Sequence, residues 1–495
     1  MLASILPVLV MNYNIRIKTS RTFNEQIMGA DAFAPVFNVY KTMEGHMKKA
    51  DVVVLGGLSG ITAGISCRRH YPDKKVILIR KEGTVLIPCG IPYIYGTVGG
   101  PENNVIPDGL LEQNDIELIK GEAVAVDREN KVITLKDGET IGYEKLVFAT
   151  GSVPLIPPIP GIDKKNVYPV KKEFDYLSEV HCQMNEVKDL VIIGGGFIGM
   201  EFADECRKGR DVNVTVVEAL SHCLQTAMDD EFCEEAQARI EETGVKILVD
   251  ETVEQILGNE KVTGVRLSGG KELKADMVIL GIGAVPNTEL AKKAGLELGF
   301  KNTIKVDRYM QSYTDPDVFA CGDCAEKQSF FDGRPTGVML ASIATSEARI
   351  VGANLFSPTH QNCGAISVFS TVVNNRAFGV AGLTERWAKR IGAKIVTGIS
   401  EAPDTHPGGM PNSCHTKVKL LFSKDTGVIM GGSICGGKPV GEMVNVLSAC
   451  IMHRMTADDM VKFQMGTHPA LTSSPIVYPI VNAACKAILP LKRQA

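Results

Sequence analysis

No charge of either sign dominates the 495-residue sequence: 53 lysines and arginines stand against 57 aspartates and glutamates, a formal net charge of -4. That balance leaves no electrostatic footprint for nucleic acid or an anionic membrane, so a small-molecule partner is the expectation. No apolar run reaches the roughly 18 residues that a membrane-spanning helix needs, and none is predicted. The 13 cysteines form no compact framework. Odd in number and scattered, they suit a reducing compartment, and a cytoplasmic protein is expected. Residues 1–46 lack a readable pattern. Ile5 to Met11 is apolar but short, is broken by Pro7, and has neither the leading basic residues nor the small-residue cleavage site of a signal peptide. Met47-Lys48-Lys49 directly before a strand looks like a start, and His46-Met47 matches the remnant of a common cloning site. The extension fits an expression leader, a partner-binding arm or a misassigned start.

What is present is first of all length, which exceeds one core and predicts roughly three domains of about 150 residues. Asp51 to Leu55 reads as a strand, followed by Gly56-Gly57-Leu58-Ser59-Gly60 and a helical pattern through Arg69. Glycines at such a turn let backbone N–H groups and a helix N-terminus approach a pyrophosphate. This first unit is imperfect, with Leu58 and Ile61 where GxGxxG wants glycine. Val76 to Ile79 is the next strand, and Arg80 stands where a ribose-binding acid is expected. A second unit after Leu190 to Ile193 is complete, with Gly194, Gly196 and Gly199 in register and Phe197 and Glu201 following. Its next strand, Val212 to Val217, ends at Glu218, at the same offset from Gly194 as Arg80 from Gly56. Two units of one layout imply two dinucleotides. Glu218 can accept from both ribose hydroxyls and would repel a 2'-phosphate, so NADH is expected over NADPH.

Between these units lies Ile87-Pro88-Cys89-Gly90-Ile91-Pro92-Tyr93, a lone cysteine among prolines and a glycine. Cys89 reads either as a redox thiol or as an inert buried side chain. Further along, Lys145 to Phe148 leads into Ala149-Thr150-Gly151-Ser152, and Pro154 to Pro160 is a proline-rich crossing. Ala275 to Leu280 runs into Gly281-Ile282-Gly283, and Asp317 to Ala320 into Cys321-Gly322-Asp323-Cys324. The Cys321/Cys324 spacing has no second pair at zinc-site distance and is read as structural. After Arg349 the pattern changes to strands at Ala365 to Val373 and Lys417 to Phe422, a turn at Asp425-Thr426-Gly427, and helices near Gly441 to Arg454 and Ala457 to Phe463, an α+β set.

Taken together, Cys89-Gly90-Ile91-Pro92-Tyr93, Ala149-Thr150-Gly151, the glycine unit ending in Glu201, Gly281-Ile282-Gly283, Gly322-Asp323 and Asp425-Thr426-Gly427 resemble the flavin-dependent pyridine nucleotide-disulfide oxidoreductases. The similarity covers nearly everything after Met47 and is to the single-cysteine branch, which includes coenzyme A disulfide reductase, NADH oxidase, NADH peroxidase and sulfur, persulfide or polysulfide reductases. The resemblance implies an α/β protein with two Rossmann-like domains and a C-terminal α+β dimerisation domain. It places FAD on residues 47–160 and 285–349, NADH on 161–284, and a homodimer contact on 350–495. The expected FAD contacts are Gly56, Gly57, Ser59, Gly60, Arg80, Thr150, Gly151 and Asp323, the last at the ribityl chain. The expected nicotinamide-side contacts are Gly194, Gly196, Gly199, Phe197 as a gate, Glu201, Glu218 and Gly283. Cys89 would lie by the isoalloxazine ring, and His468, in a His468-Pro469 pair, would serve the partner subunit as an acid/base.

Departures narrow the expectation. Ser59 stands where the peroxidase branch places a histidine, and Thr405-His406-Pro407-Gly408 replaces the Tyr-Tyr-Pro-Gly stretch of coenzyme A disulfide reductases. Relatives with an internal disulfide carry a second cysteine five positions away, here Thr84 or Ile94, so Cys89 must pair with an external sulfur or become a sulfenic acid. Its thiolate form would need a lowered pKa, supplied by the flavin environment or a nearby cation. The expected function is an FAD-dependent NADH oxidoreductase that passes electrons through Cys89 to a disulfide, persulfide, polysulfide or peroxide-type acceptor. Two other readings stand beside it: an electron-transfer subunit of a larger redox complex, with Cys89 vestigial, and a non-catalytic nucleotide sensor.

Overall fold

The structure, a computed structural model, describes residues 47–492; the extension 1–46 lies outside the described residues. The first unit is built on β1 (Lys48–Gly56), α1 (Leu58–His70), β2 (Val76–Arg80), β3 (Ile116–Lys120), β4 (Ala123–Asp127), β5 (Val132–Leu135) and β6 (Thr140–Ala149). The strands lie in the order β3-β2-β1-β6-β5-β4. β1 runs parallel to β2 with Val52 opposite Val76, and to β6 with Val53 opposite Leu146. The continuous apolar runs of β1 and β2 have the composition of strands covered on both faces; β2 is buried throughout and β1 from Val52 to Leu55.

The second unit contains β7 (Val167–Pro169), β8 (Asp189–Ile193), α2 (Phe197–Arg207), β9 (Asn213–Val217), α3 (Asp230–Glu241), β10 (Lys246–Leu248) and β11 (Met277–Leu280). Its sheet is parallel in the order β7-β11-β8-β9-β10. The chain then returns to the first sheet through β12 (Val318–Ala320), which pairs with β6 with Val318 opposite Leu146, and α4 (Ala341–Asn354). The second unit is therefore inserted into the first, which makes two Rossmann-like layers from one chain.

The C-terminal unit is an antiparallel sheet of β13 (Val368–Val373), β14 (Arg376–Gly382), β15 (Ile395–Pro403), β16 (His415–Ser423) and β17 (Ile429–Gly436), in the order β13-β14-β17-β16-β15. Helices α5 (Val440–Met452) and α6 (Pro479–Lys492) cover it. Strands β14, β15 and β17 and helix α6 are not predicted by the sequence pattern. β17, Ile-Met-Gly-Gly-Ser-Ile-Cys-Gly, shows why. Its glycines carry no β-propensity, yet packing demands them: a Cβ on Gly431 would lie 1.9 Å from the Leu383 carbonyl oxygen. No described helix is long and apolar enough to cross a membrane.

Candidate active site

Where the three units meet, a cavity of about 1400 Å³ opens, larger than the few hundred to about 1,000 Å³ of an ordinary single-ligand pocket. Three helix N-termini border it: α1 after Gly57, α2 after Gly196 and α4 after Leu340. None has a side-chain cap or an acid in its first turn. Uncapped N–H groups at a cavity are donors open to a ligand, and the helix dipole favours an anion there. Cβ atoms on Gly57, Gly151, Gly196 and Gly283 would meet nothing within 4 Å. These glycines thus form open floor beside the helix ends, the shape that two pyrophosphates require.

Three of the expected contacts stand elsewhere. Gly56, Gly60 and Gly199 are not part of the cavity wall. Each lets two backbones or a core approach: a Cβ on Gly56 would lie 1.9 Å from the Ala149 oxygen, one on Gly60 3.2 Å from Val54, and one on Gly199 1.8 Å from the Gly194 oxygen. What they do in the structure is shape the turns. Gly199→Ala is accordingly expected to lower stability by roughly 1–3 kcal/mol and to weaken NADH binding, checked by thermal unfolding and by titration with NADH.

Arg80 also requires correction as a cofactor contact. Its side chain is buried, its Nε donates to the Glu82 carbonyl at 3.0 Å, and its guanidinium pairs with Asp108. At the end of β2 it faces inward, while its neighbours Lys81 and Glu82 reach the cavity wall. The charged position was legible in the sequence, but the direction of the side chain was not.

Ser59, Thr150, Asp323, Gly194, Phe197, Glu201 and Glu218 do line the cavity. The Thr150 hydroxyl donates to the Asn287 carbonyl at 2.6 Å. Asp323 accepts from the Ser152 hydroxyl at 2.7 Å, and Lys172 Nζ lies 3.1 Å from that same hydroxyl. At the other end, the Glu218 carboxylate accepts from Gly195 N–H at 2.6 Å and from Leu220 N–H at 2.8 Å.

Cys89 sits on the cavity wall in a 3₁₀ turn, Pro88–Gly90, followed by a second turn, Pro92–Tyr95. Proline fits at the start of each turn because its missing N–H would have no partner there. Asn104 clamps the segment, donating from Nδ2 to the Ile87 carbonyl at 2.9 Å. The residue after the thiol must be small, since a Cβ on Gly90 would lie 2.0 Å from Asn104 Oδ1. Helix α2 fixes the second turn: Glu205 accepts from Thr97 N–H at 2.6 Å and from its hydroxyl at 2.9 Å, and Tyr95 packs on Phe202 at 5.2 Å between ring centres. The helix that opens at the second glycine turn therefore also anchors the loop that carries the thiol.

The protein's own groups raise the Cys89 pKa on balance. Burial pushes it up, and the Glu201 charge adds to that; Lys172 is the cation acting in the opposite sense. Glu201 itself is pushed up to about 7 by burial, against the stabilising hydroxyl of Thr371. Ser152, Lys172, Thr371 and a second exposed thiol at the cavity, Cys363, were all missed by motif reading. Only Ser152, next to Ala149-Thr150-Gly151, had a neighbouring signal. Ile94, one of the two positions a partner cysteine would occupy, is fully buried. Cys321 and Cys324 are buried, with the Cys324 thiol donating to the Cys321 carbonyl at 3.3 Å. His468 is exposed, its Nδ1 accepting from Ala470 N–H at 3.2 Å, and it is not on the cavity wall of its own chain.

Residues 50–348 match the model of the pyridine nucleotide-disulphide oxidoreductases, and residues 368–476 match the dimerisation domain of the same group. The chain belongs to this family. As a member it is a flavin-dependent NAD(P)H oxidoreductase, and the two glycine-floored ends of the cavity fit FAD and NAD(P)H. It is 29% identical over 453 residues to an NADH oxidase of Methanocaldococcus jannaschii, spanning 90% of this chain and 99% of that one. It is 28% identical to an NAD(P)H sulfur oxidoreductase (CoA-dependent) of Pyrococcus abyssi, spanning 88% and 98%. Among solved structures, the NAD-dependent persulfide reductase from A. fulgidus superposes with a TM-score of 0.82 at 28% identity, covering 90% of this chain and 83% of that one.

Proposed function

We propose that the protein is an NADH-dependent reductase of a small sulfur acceptor, a disulfide, persulfide or polysulfide, with Cys89 as its redox thiol. The observation that carries this reading is the position of Cys89. It is an exposed thiol on a rigid turn, in one cavity with both glycine turns. Likeness to a sulfur oxidoreductase and a persulfide reductase supports the acceptor class. FAD, when bound, supplies the exchange between two-electron hydride chemistry and the thiol.

Gly57, Ser59, Gly151, Thr150 and Asp323 are the residues to hold FAD, with Glu82 in place of Arg80 as the nearest carboxylate after β2. Gly194, Gly196, Phe197, Gly283 and Glu218 are those to hold NADH. The reaction balances as NADH, a proton and R–S–S–R' giving NAD⁺, R–SH and R'–SH. Cys89 contributes by attacking one sulfur of the acceptor. R'–S⁻ leaves and takes a proton, and an electron pair delivered to the mixed disulfide releases R–SH and restores the Cys89 thiolate. No cysteine stands at the spacing that would make an internal disulfide, so the second sulfur comes from the acceptor. In a homodimer built by the 368–476 region, the exposed His468 of each chain is the group offered to the other for protonating the leaving thiol.

Purified protein is expected to be yellow, to elute as a dimer, and to oxidise NADH faster with polysulfide or a low-molecular-weight disulfide than with oxygen or peroxide. Turnover confined to oxygen would refute the sulfur reading. Activity only in a co-purifying complex would favour an electron-transfer subunit.

A further inference from the structure

Helix α2 and strand β13 meet along a matched pair of faces. Phe197 and Glu201 are one helical turn apart and share a face; Phe369 and Thr371 alternate onto one face of the strand. The Phe197 and Phe369 rings meet edge to face, 4.8 Å between centres. The Thr371 hydroxyl donates to Glu201 Oε1 at 2.7 Å. Thr371 is 4% exposed, although its neighbours Ser370 and Val372 are exposed, so its hydroxyl is directed inward to a single carboxylate. The domain whose family role is dimer contact thereby reaches the interior of the redox site within the same chain.

We propose that Thr371 is a positioning residue, holding the Glu201 carboxylate in the cavity so that the C-terminal domain sets the charge that acts on the Cys89 sulfur. The proposal rests on Cys89 being the working thiol. A hydroxyl donated to a carboxylate favours its charged form. Burial opposes that form, and the balance puts Glu201 close to neutrality in its titration, at about 7. Glu205, next along the helix, raises it further. The groups that act on Cys89 are Glu201 and Asp323, which raise its pKa, and Lys172, which lowers it. Tyr93 carries no charge of its own near neutral pH, because burial and the surrounding carboxylates push it up. Glu201, pushed up to about 7, is placed to change its charge across the neutral range. While it is protonated the thiol ionises more readily; once it ionises the thiol is held back.

The test reads Cys89 itself rather than turnover. The rate of Cys89 alkylation by iodoacetamide is measured across the neutral pH range on the flavin-loaded, thiol form, with the modified peptide identified by mass so that exposed Cys182, Cys363 and Cys485 do not contribute. In the wild type the logarithm of the rate rises with pH and bends near pH 7, where Glu201 ionises. In Thr371→Val and Thr371→Ala the bend is expected to move up by about one pH unit, the usual worth of a hydrogen bond to a charged group. Thr371→Ser keeps the hydroxyl and returns the bend to the wild-type position. Glu201→Gln removes it. An unmoved bend in the flavin-retaining variants without the hydroxyl, a Ser variant that shifts as far as they do, or a bend surviving in Glu201→Gln overturns the proposal. Should Val cost flavin retention, Ala against Ser makes the same comparison. A chain that reduced no sulfur compound would still yield this profile, so failure of the sulfur reading is seen separately in the acceptor assay.

Discussion

Cys89→Ser is expected to lower NADH-dependent reduction of a disulfide or polysulfide by at least roughly a hundredfold, while the protein stays yellow and still binds NADH. The reason is one of valence. A hydroxyl can occupy the space of the thiol, but it cannot form a mixed disulfide or a persulfide, so the covalent step is lost rather than slowed. The surroundings should tolerate the change, because Cys89 is exposed on a turn whose shape is set by Pro88, Gly90 and the Asn104 clamp. Flavin content and NADH affinity report the rest of the cavity and should hold. The same variant separates the acceptors. Electron transfer to oxygen needs no sulfur bond and should persist as a slow background, so the ratio of sulfur-dependent to oxygen-dependent NADH oxidation is the quantity to measure. If the Ser variant retains sulfur-dependent turnover, Cys89 is not the relay and the electrons reach the acceptor by another route.

The parts of this site that local pattern can encode were legible in the sequence. A strand, a glycine turn and a helix form one contiguous stretch, and both such stretches fold as read; a proline-bounded cysteine with a glycine after it announces a tight turn. What escaped was long-range. Arg80 could be placed at the end of β2, but its turn inward to Asp108 depends on a loop 28 residues further on. Lys172 and Ser152 come together only through the crossing between the first two units. Thr371 meets Glu201 across 170 residues, with no motif around it, because a hydroxyl on an otherwise ordinary strand looks like any other threonine. The glycines divide in the same way. Sequence marks all of them as special, yet only the structure separates the open floor at Gly57 and Gly196 from the packing contacts at Gly56 and Gly199. The C-terminal strands were missed where close backbone packing, rather than β-propensity, selects the residues.

Wild-type protein is expected to use NADH over NADPH by roughly a hundredfold in kcat/KM, because bringing like charges together costs several kcal/mol. Glu218 ends β9 at the wall of the cavity, and its geometry is fixed before any coenzyme arrives: one oxygen accepts from Gly195 N–H and the other from Leu220 N–H. Those two bonds fix the orientation of the carboxylate. Each oxygen keeps a further lone pair, enough to accept from both ribose hydroxyls of NADH. A 2'-phosphate offers no proton to these oxygens and brings its own negative charge against them. Replacing Glu218 by alanine removes both the acceptor and the repulsion. The preference should therefore shrink to about tenfold or less, chiefly through a higher KM for NADH, since no designed cation takes over the phosphate. Flavin content should not move, because Glu218 stands beside the second glycine turn, at Gly195, and not at the first. Steady-state rates with the two coenzymes, for wild type and Glu218→Ala, decide the matter. Equal use of NADPH by the wild type would mean that the carboxylate faces away from the ribose, and the assignment of this end of the cavity would have to be redrawn around His222 and the 219–226 loop that also line it.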